Sequence, residues 1–193
     1  MHPPSAQAGI RRLTLAVMLV LLQVSVSAQK LDSWREYTFN SIDCAAIFPG
    51  EPKVTEKAED DGRLTVTASY GNSRDSEALF VSRIVIAPSV AAAKSADRIL
   101  DDALEGSAKE SKGTVVKKEQ ILVQGNPALL VTIEGDNWVG LSRYVLVNKT
   151  GLYIALALRT KPSTDENRDF LTRENMERFL RSFTLLGNSG GKK

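Results

Sequence analysis

The sequence predicts an α+β domain in which an antiparallel sheet is covered by helices on both faces, an α-β-α sandwich. Three observations carry this. Four extended segments at 115–124, 128–134, 138–147 and 152–159 are joined by Gly-Asn-Pro, Gly-Asp-Asn and Asn-Lys-Thr-Gly. Joints this short place consecutive strands side by side and antiparallel. Helical apolar spacing flanks the run on both sides. Finally, the last strand is apolar on both faces: Leu152, Ile154, Leu156 and Leu158 line one, and Tyr153, Ala155 and Ala157 the other. Such a sheet needs cover on both sides.

The elements follow in order. Residues 1–28 read as a signal peptide. Arg11 and Arg12 give a positive start, Leu13 to Leu22 is apolar except for Thr14, and Val26-Ser27-Ala28 supplies small residues for cleavage. The apolar run is short for a membrane span. The arginine pair matches twin-arginine export poorly in its surroundings, and Cys44 lies too far beyond the run for lipid attachment. Residues 29–186 form one domain, and 187–193 read as a disordered polar tail. Cys44 to Phe48 is a short strand, ended by Pro49-Gly50-Glu51-Pro52. Lys53 to Arg63 is charged and reads as a loop or edge segment around Asp61-Gly62. Leu64 to Tyr70 alternates and is a half-buried strand; Ala78 to Ile86 is a more apolar one, with Asn72, Ser73 and Asp75 as turn chemistry between them.

After Pro88 the period changes. Ala92, Ala96, Ile99, Leu100, Ala103 and Leu104 recur at helical spacing, with Asp101, Asp102 and Glu105 mostly on the other side and Gly113 as the stop. The four-strand meander follows. Ser163 opens a closing helix, with Glu166 three residues on as a capping box, and Met176, Phe179, Leu180 and Phe183 give its buried stripe.

Composition excludes several chemistries. The only histidine is His2, inside the leader, so residues 29–193 contain none. Serine–histidine and cysteine–histidine catalysis are thereby removed, together with the commonest transition-metal ligand. One cysteine makes neither an internal disulfide nor a multi-cysteine zinc site. No glycine-rich phosphate loop is present, and no cofactor is expected. Cleavage removes two arginines and no acid, taking Lys+Arg from 25 to 23 against 23 Asp+Glu. A chain near zero net charge is not a nucleic-acid binder held by bulk electrostatics.

The stretches WREYTFNSIDCAAIFPGEP, SADRILDDAL, ILVQGNPALLVTIEG, GLSRYVLVNKTGLYIALAL and RFLRSF, in this order and spacing, resemble PsbP-like domains, in particular small exported bacterial proteins sharing that fold. The resemblance spans nearly the whole chain after the leader and rests on the set, since no single motif is specific. It implies the α-β-α sandwich and a binding or assembly role on a larger complex, not an enzyme. It supplies no catalytic residues.

Three arginines sit inside apolar strands: Arg83, Arg143 and Arg159. They are the candidate ligand-binding residues, an anion or carboxylate pocket between sheet and helix. The competing reading pairs them with helix acids such as Asp101 or Asp102, or lets strand ends carry them to solvent. Cys44 shares a face with Ala46 and Phe48, and its neighbours offer no cation to activate a thiol; it reads as structural. Trp34 reads as packing the N-terminal segment onto the domain, and Trp138 as shielding a sheet edge. Asp60-Asp61 and Asp101-Asp102 are adjacent pairs without acid–base or calcium spacing. Asn148-Lys149-Thr150 fits a glycosylation sequon but sits in a tight turn.

The expectation is an exported binding or assembly module, secreted or periplasmic. It would act without catalysis on a protein or small-ligand partner in the cell envelope, with no stable membrane span after processing. The alternatives are an enzyme using carboxylates and arginines in a sheet–helix cleft, and an accessory protein acting through Lys53–Arg63 or the tail. Protein recovered from the extracytoplasmic fraction is expected to begin at Gln29. N-terminal sequencing reads this directly, and an intact Met1 terminus would contradict it.

Overall fold

The computed structural model describes residues 34–58, 64–72, 77–160 and 171–187. The expected leader, the turn residues Asp61, Gly62, Ser73 and Asp75, the pair Ser163 and Glu166, and tail residues 188–193 lie outside them. The described residues form two antiparallel sheets and three helices. The larger sheet contains β3 (Lys53–Ala58), β4 (Leu64–Asn72), β5 (Glu77–Val85), β6 (Thr114–Val123), β7 (Asn126–Glu134), β8 (Trp138–Val147) and β9 (Gly151–Thr160). Its order is β3-β4-β5-β9-β8-β7-β6. The smaller contains β1 (Arg35–Phe39), β2 (Cys44–Phe48) and β10 (Thr184–Leu185), in the order β1-β2-β10. The helices are α1 (Pro88–Ala93), α2 (Ala96–Ser111) and α3 (Arg173–Ser182).

The larger sheet is two meanders zipped together. β3, β4 and β5 run in sequence order, as do β6 to β9, and β5 pairs with β9 to join them. β9 is therefore the middle strand of seven. Its alternation decides the packing. Tyr153, Ala155 and Ala157 belong to one apolar core with Met176, Phe179 and Leu180 of α3 and with Phe39, Cys44 and Phe48 of the smaller sheet. Leu152 and Ile154 belong to a second core with Ile99, Leu100, Ala103 and Leu104 of α2. The smaller sheet is tied to α3 by Ile47 N–H donating to Ser182 Oγ at 2.9 Å. Edge-on aromatic contacts link Phe48 to Tyr37, Phe39 and Phe179.

Local chemistry sets most boundaries. The helical spacing expected from Ala92 onward is split in two. Lys94 is extended, and Ser95 opens α2 by accepting from Arg98 N–H. α2 ends with Lys112, not Gly113, in the left-handed region at φ 52, and Gly113 N–H returns to Ala108 O. α3 has Thr172 as its cap, accepting from Asn175 N–H. The β6–β7 turn places Gln124 (φ 50) before Gly125 (φ 79). There the Gln124 carboxamide accepts from Leu185 N–H at 2.7 Å and donates to Leu185 O at 3.1 Å, clasping β10.

Two differences from the sequence expectation have a physical reason. β1 and β10 are absent from the sequence expectation: β1 alternates only through Tyr37 and Phe39, too short a period to mark a strand, and β10 is two residues long. Trp138 does not shield a sheet edge, because β8 is interior. Its indole packs into the α2 core and lies over Gly113 and Gly135. A Cβ at Gly113 would fall 2.5 Å from Ile133 Cγ2 and 2.8 Å from Trp138 Cη2, and one at Gly135 would overlap the indole nitrogen. Gly113→Ala and Gly135→Ala are each expected to destabilise the fold by about 1–3 kcal/mol through overpacking. Thermal melts should show the Gly135→Ala loss shrinking in a Trp138→Leu background, because the two sites are in contact.

Candidate functional site

Strand register puts all three candidate arginines on the face of the larger sheet that carries α3. Arg83 lies opposite Tyr153, Arg143 opposite Ala155, and Arg159 opposite Val139, so each shares the parity of the odd residues of β9. They do not converge. At about 3.4 Å of rise per residue, the rows of Tyr153 and Arg159 are about 20 Å apart. Arg83 and Arg143 stand on opposite sides of β9, about 10 Å apart across the strands. A single three-arginine pocket is not what the fold builds.

The expected alternative, pairing with Asp101 or Asp102, does not hold either. α2 packs on the other side of β9, out of reach. Asp101 pairs with Lys118 of β6, and Asp102 with Lys94 and Arg98. The strand arginines find different environments. Arg83 Nη1 reaches Asp43 Oδ2 at 2.9 Å, and its guanidinium lies 5.7 Å from the Tyr153 ring. Asp43 itself is left-handed at φ 52, and its carbonyl accepts from Leu186 N–H. Arg83 thus fastens the β1–β2 turn to the sheet. Arg159 Nη1 donates to Leu171 O at 3.4 Å, while both carboxylate oxygens of Glu77 accept from Leu171 N–H at 3.1 and 3.2 Å. Leu171 is fully buried, so these two side chains satisfy backbone that water cannot reach.

Arg143 is different. Among the described residues it has no hydrogen-bond or ion-pair partner; its Nε is buried without an acceptor, which it shares with the Nε of Arg83. Its side chain is half-buried beside Leu130 and Ala155 in register. Burial and, second, the nearby cation of Arg181 lower its proton affinity below the usual arginine value. Arg181 is an α3 residue that sequence reasoning missed; it lies off the apolar stripe and looks like ordinary helix surface. It shares Glu177 with Arg173, at 3.4 and 3.1 Å.

Other candidates are structural. Trp34 packs on the α3 core with the Arg178 guanidinium 5.3 Å from its ring. Glu77 and Asp102, the buried carboxylates among the described residues, hold backbone and cations respectively. No group of three His, Cys, Asp or Glu that could hold a metal forms among the described residues. Cys44 is wholly buried. Its thiol is pushed up to about 12, first by burial, then by Asp43, against a smaller opposing effect of Arg83. A thiol so placed is a poor nucleophile.

The described residues therefore define an α+β domain. No family model matches the chain, and no curated protein matches it by sequence. Among solved structures, the solution structure of cyanobacterial PsbP (CyanoP) from Synechocystis sp. PCC 6803 matches 84% of this chain and 98% of that chain. The TM-score is 0.54 at 13% sequence identity. The chain has a PsbP-like fold, as the sequence resemblance implied. At that identity the likeness carries no residue roles.

Cys44 gives a pH test. The folded thiol titrates near 12 against an ordinary value of 9.0. Its contribution is fully present below pH 9. As pH rises from 9 toward 12 the unfolded chain loses this proton and the folded chain keeps it, so stability falls by up to about 1.4 kcal/mol per pH unit. Cys44→Ala should cost about 1 kcal/mol at neutral pH and lose less stability than wild type between pH 9 and 11, read by denaturant melts. Fast thiol labelling of the native protein would contradict the buried assignment.

Proposed function

We propose that this protein is an exported, non-catalytic binding or assembly module of the cell envelope, an α-β-α sandwich of PsbP-like fold acting through a surface. The observation that carries the reading is Arg143: a half-buried cation with no hydrogen-bond or ion-pair partner among the described residues, on an interior strand, where Arg83 and Arg159 tie segments together. A leader at residues 1–28 fits export. No helix among the described residues is long and apolar enough to cross a membrane.

The enzyme alternative has less to work with. Catalysis at neutral pH wants a group that titrates near it. Residues 29–193 lack histidine. The thiol and Tyr70, Tyr144 and Tyr153 all move up, each chiefly by burial, away from neutrality. The buried carboxylates already hold structure.

The test is cross-linking of the mature protein in its own envelope fraction, followed by purification. A stoichiometric complex is expected, and Cys44→Ala should retain it. Arg83→Met and Arg159→Met should lower the melting temperature, because each removes a tie between segments distant in sequence. Recovery of the chain alone, with a turnover that Glu77→Gln abolishes, would replace the module with the enzyme.

A further inference from the structure

We propose that β6 is a self-association edge: it pairs antiparallel with β6 of a second copy, about a two-fold axis at Gln120, and joins two larger sheets into one. This goes beyond the binding-module reading and does not depend on it. β6 ends the larger sheet, with β7 on one side and no strand on the other among the described residues. Its outward backbone follows from the turn. Gln124 and Gly125 make a two-residue turn, with Val123 and Asn126 facing each other across it. The pair flanking such a turn is the hydrogen-bonded kind, and the two kinds alternate along the ladder. Lys118, Gln120 and Leu122 therefore aim N–H and C=O groups away from β7. Pro127 lies opposite Leu122, at a non-bonded pair, so its missing N–H takes nothing from the β6–β7 ladder. An open edge of this kind is a template for another strand.

Charge chooses the occupant. Lys117 and Glu119 pair with each other at 3.5 Å, and Lys118 with Asp101 at 2.6 Å. The charges of the edge are thus answered within the chain, and they offer no surplus to a charged partner strand. The edge does fit itself. Two-fold pairing keeps each face of the sheet on its own side, so it must pivot on a residue. A pivot on Lys118 or Glu119 sets that charge against its own copy, which is unfavourable. A pivot on Gln120 sets Lys117 against Val123, Lys118 against Leu122 and Glu119 against Ile121, with no like charges opposed. The two Gln120 carboxamides then meet, each able to donate and accept.

This register also clears the bulge between Val115 and Lys117. Bulges and lysines guard edges against pairing; here both lie toward the start of the strand, and Gln120 to Val123 carries neither. Leu122, at 73% exposure, is the most exposed large hydrophobic among the described residues. The aliphatic stem of Lys118 from the second copy would cover it. The opposite edge, β3, does not fit itself: its longest such registers set Lys53 against Lys57, or Glu56 against Glu56. A single pair of short strands buries well under the roughly 1,200 Å² of a stable complex, so the dimer is weak and concentration-dependent.

The experiment is sedimentation equilibrium of the mature chain from about micromolar to about millimolar. A monomer–dimer equilibrium is expected. Leu122→Lys opposes two cations at each end of the pairing and should weaken dimerisation by about tenfold or more. The melting temperature of the dilute monomer should not change, because this side chain lies on the surface. Disulfide trapping in a Cys44→Ala background, with a copper–phenanthroline oxidant in air, reads the register. Gln120→Cys sets two thiols directly opposite, with Cα atoms about 5.5 Å apart, within disulfide reach. Glu119→Cys leaves them on a diagonal about 7–8 Å apart, and should cross-link far more slowly. A chain monomeric throughout, a dimer that Leu122→Lys leaves intact, or trapping as fast in Glu119→Cys as in Gln120→Cys would overturn the proposal. A monomer that still enters a stoichiometric envelope complex would sink this edge and leave the module reading standing. A β6 dimer without an envelope complex would do the reverse.

Discussion

The middle strand of the larger sheet, β9, has two apolar faces, and the rest of the structure answers that constraint. Its odd residues lie in the α3 core and its even residues in the α2 core. The faces differ in size. Leu152 and Ile154 present branched side chains to α2, whereas Ala155 and Ala157 are small and leave room for Phe179 and Phe183 of the α3 core. Large against small is how two layers reach interior density without strain. A register slip of one residue would exchange these faces and break both cores at once.

Charge is distributed by the same alternation. On the α2 side, acids are answered close to home: Asp101 by Lys118, and Asp102 by Lys94 and Arg98. Those pairs leave no acid for the arginines of the opposite face. There, Arg83 and Arg159 act as fasteners between elements that are neighbours only in space. Arg143 is the exception: among the described residues it has no such tie, and the cation of Arg181 on α3 acts on it.

Hydrogen bonds to distant segments add to the apolar packing that holds the smaller sheet. Leu186 N–H reaches Asp43 O, Gln124 clasps Leu185 from the β6–β7 turn, and Ser182 receives Ile47 N–H. Two of the anchoring residues, Asp43 and Gln124, have left-handed backbones. Non-glycine residues accept that conformation at some cost; here it aims a side chain or carbonyl at a partner far away in the chain. Gly125 supplies the second left-handed position of the turn and leaves Gln124 free to do so.

Much of the fold was legible in the sequence because it rests on local periods. The meander β6 to β9, the strands β2, β4 and β5, and the apolar stripes of α2 and α3 all follow from two- or three-to-four-residue spacing and short joints. The structural role of Cys44 followed from its apolar neighbours. The PsbP-like fold followed from the order of the segments. What tertiary structure alone decided were features whose local signal was too short or absent. The strands β1 and β10 exist because β2 offers them an edge, and Trp138 turns onto Gly113 and Gly135 because β8 became interior. Arg83, Arg143 and Arg159, equivalent in the sequence, met different surroundings. An arginine in an apolar strand announces only that a charge must be accommodated; which carbonyl, carboxylate or second cation lies opposite depends on strand order and on where a distant helix comes to rest.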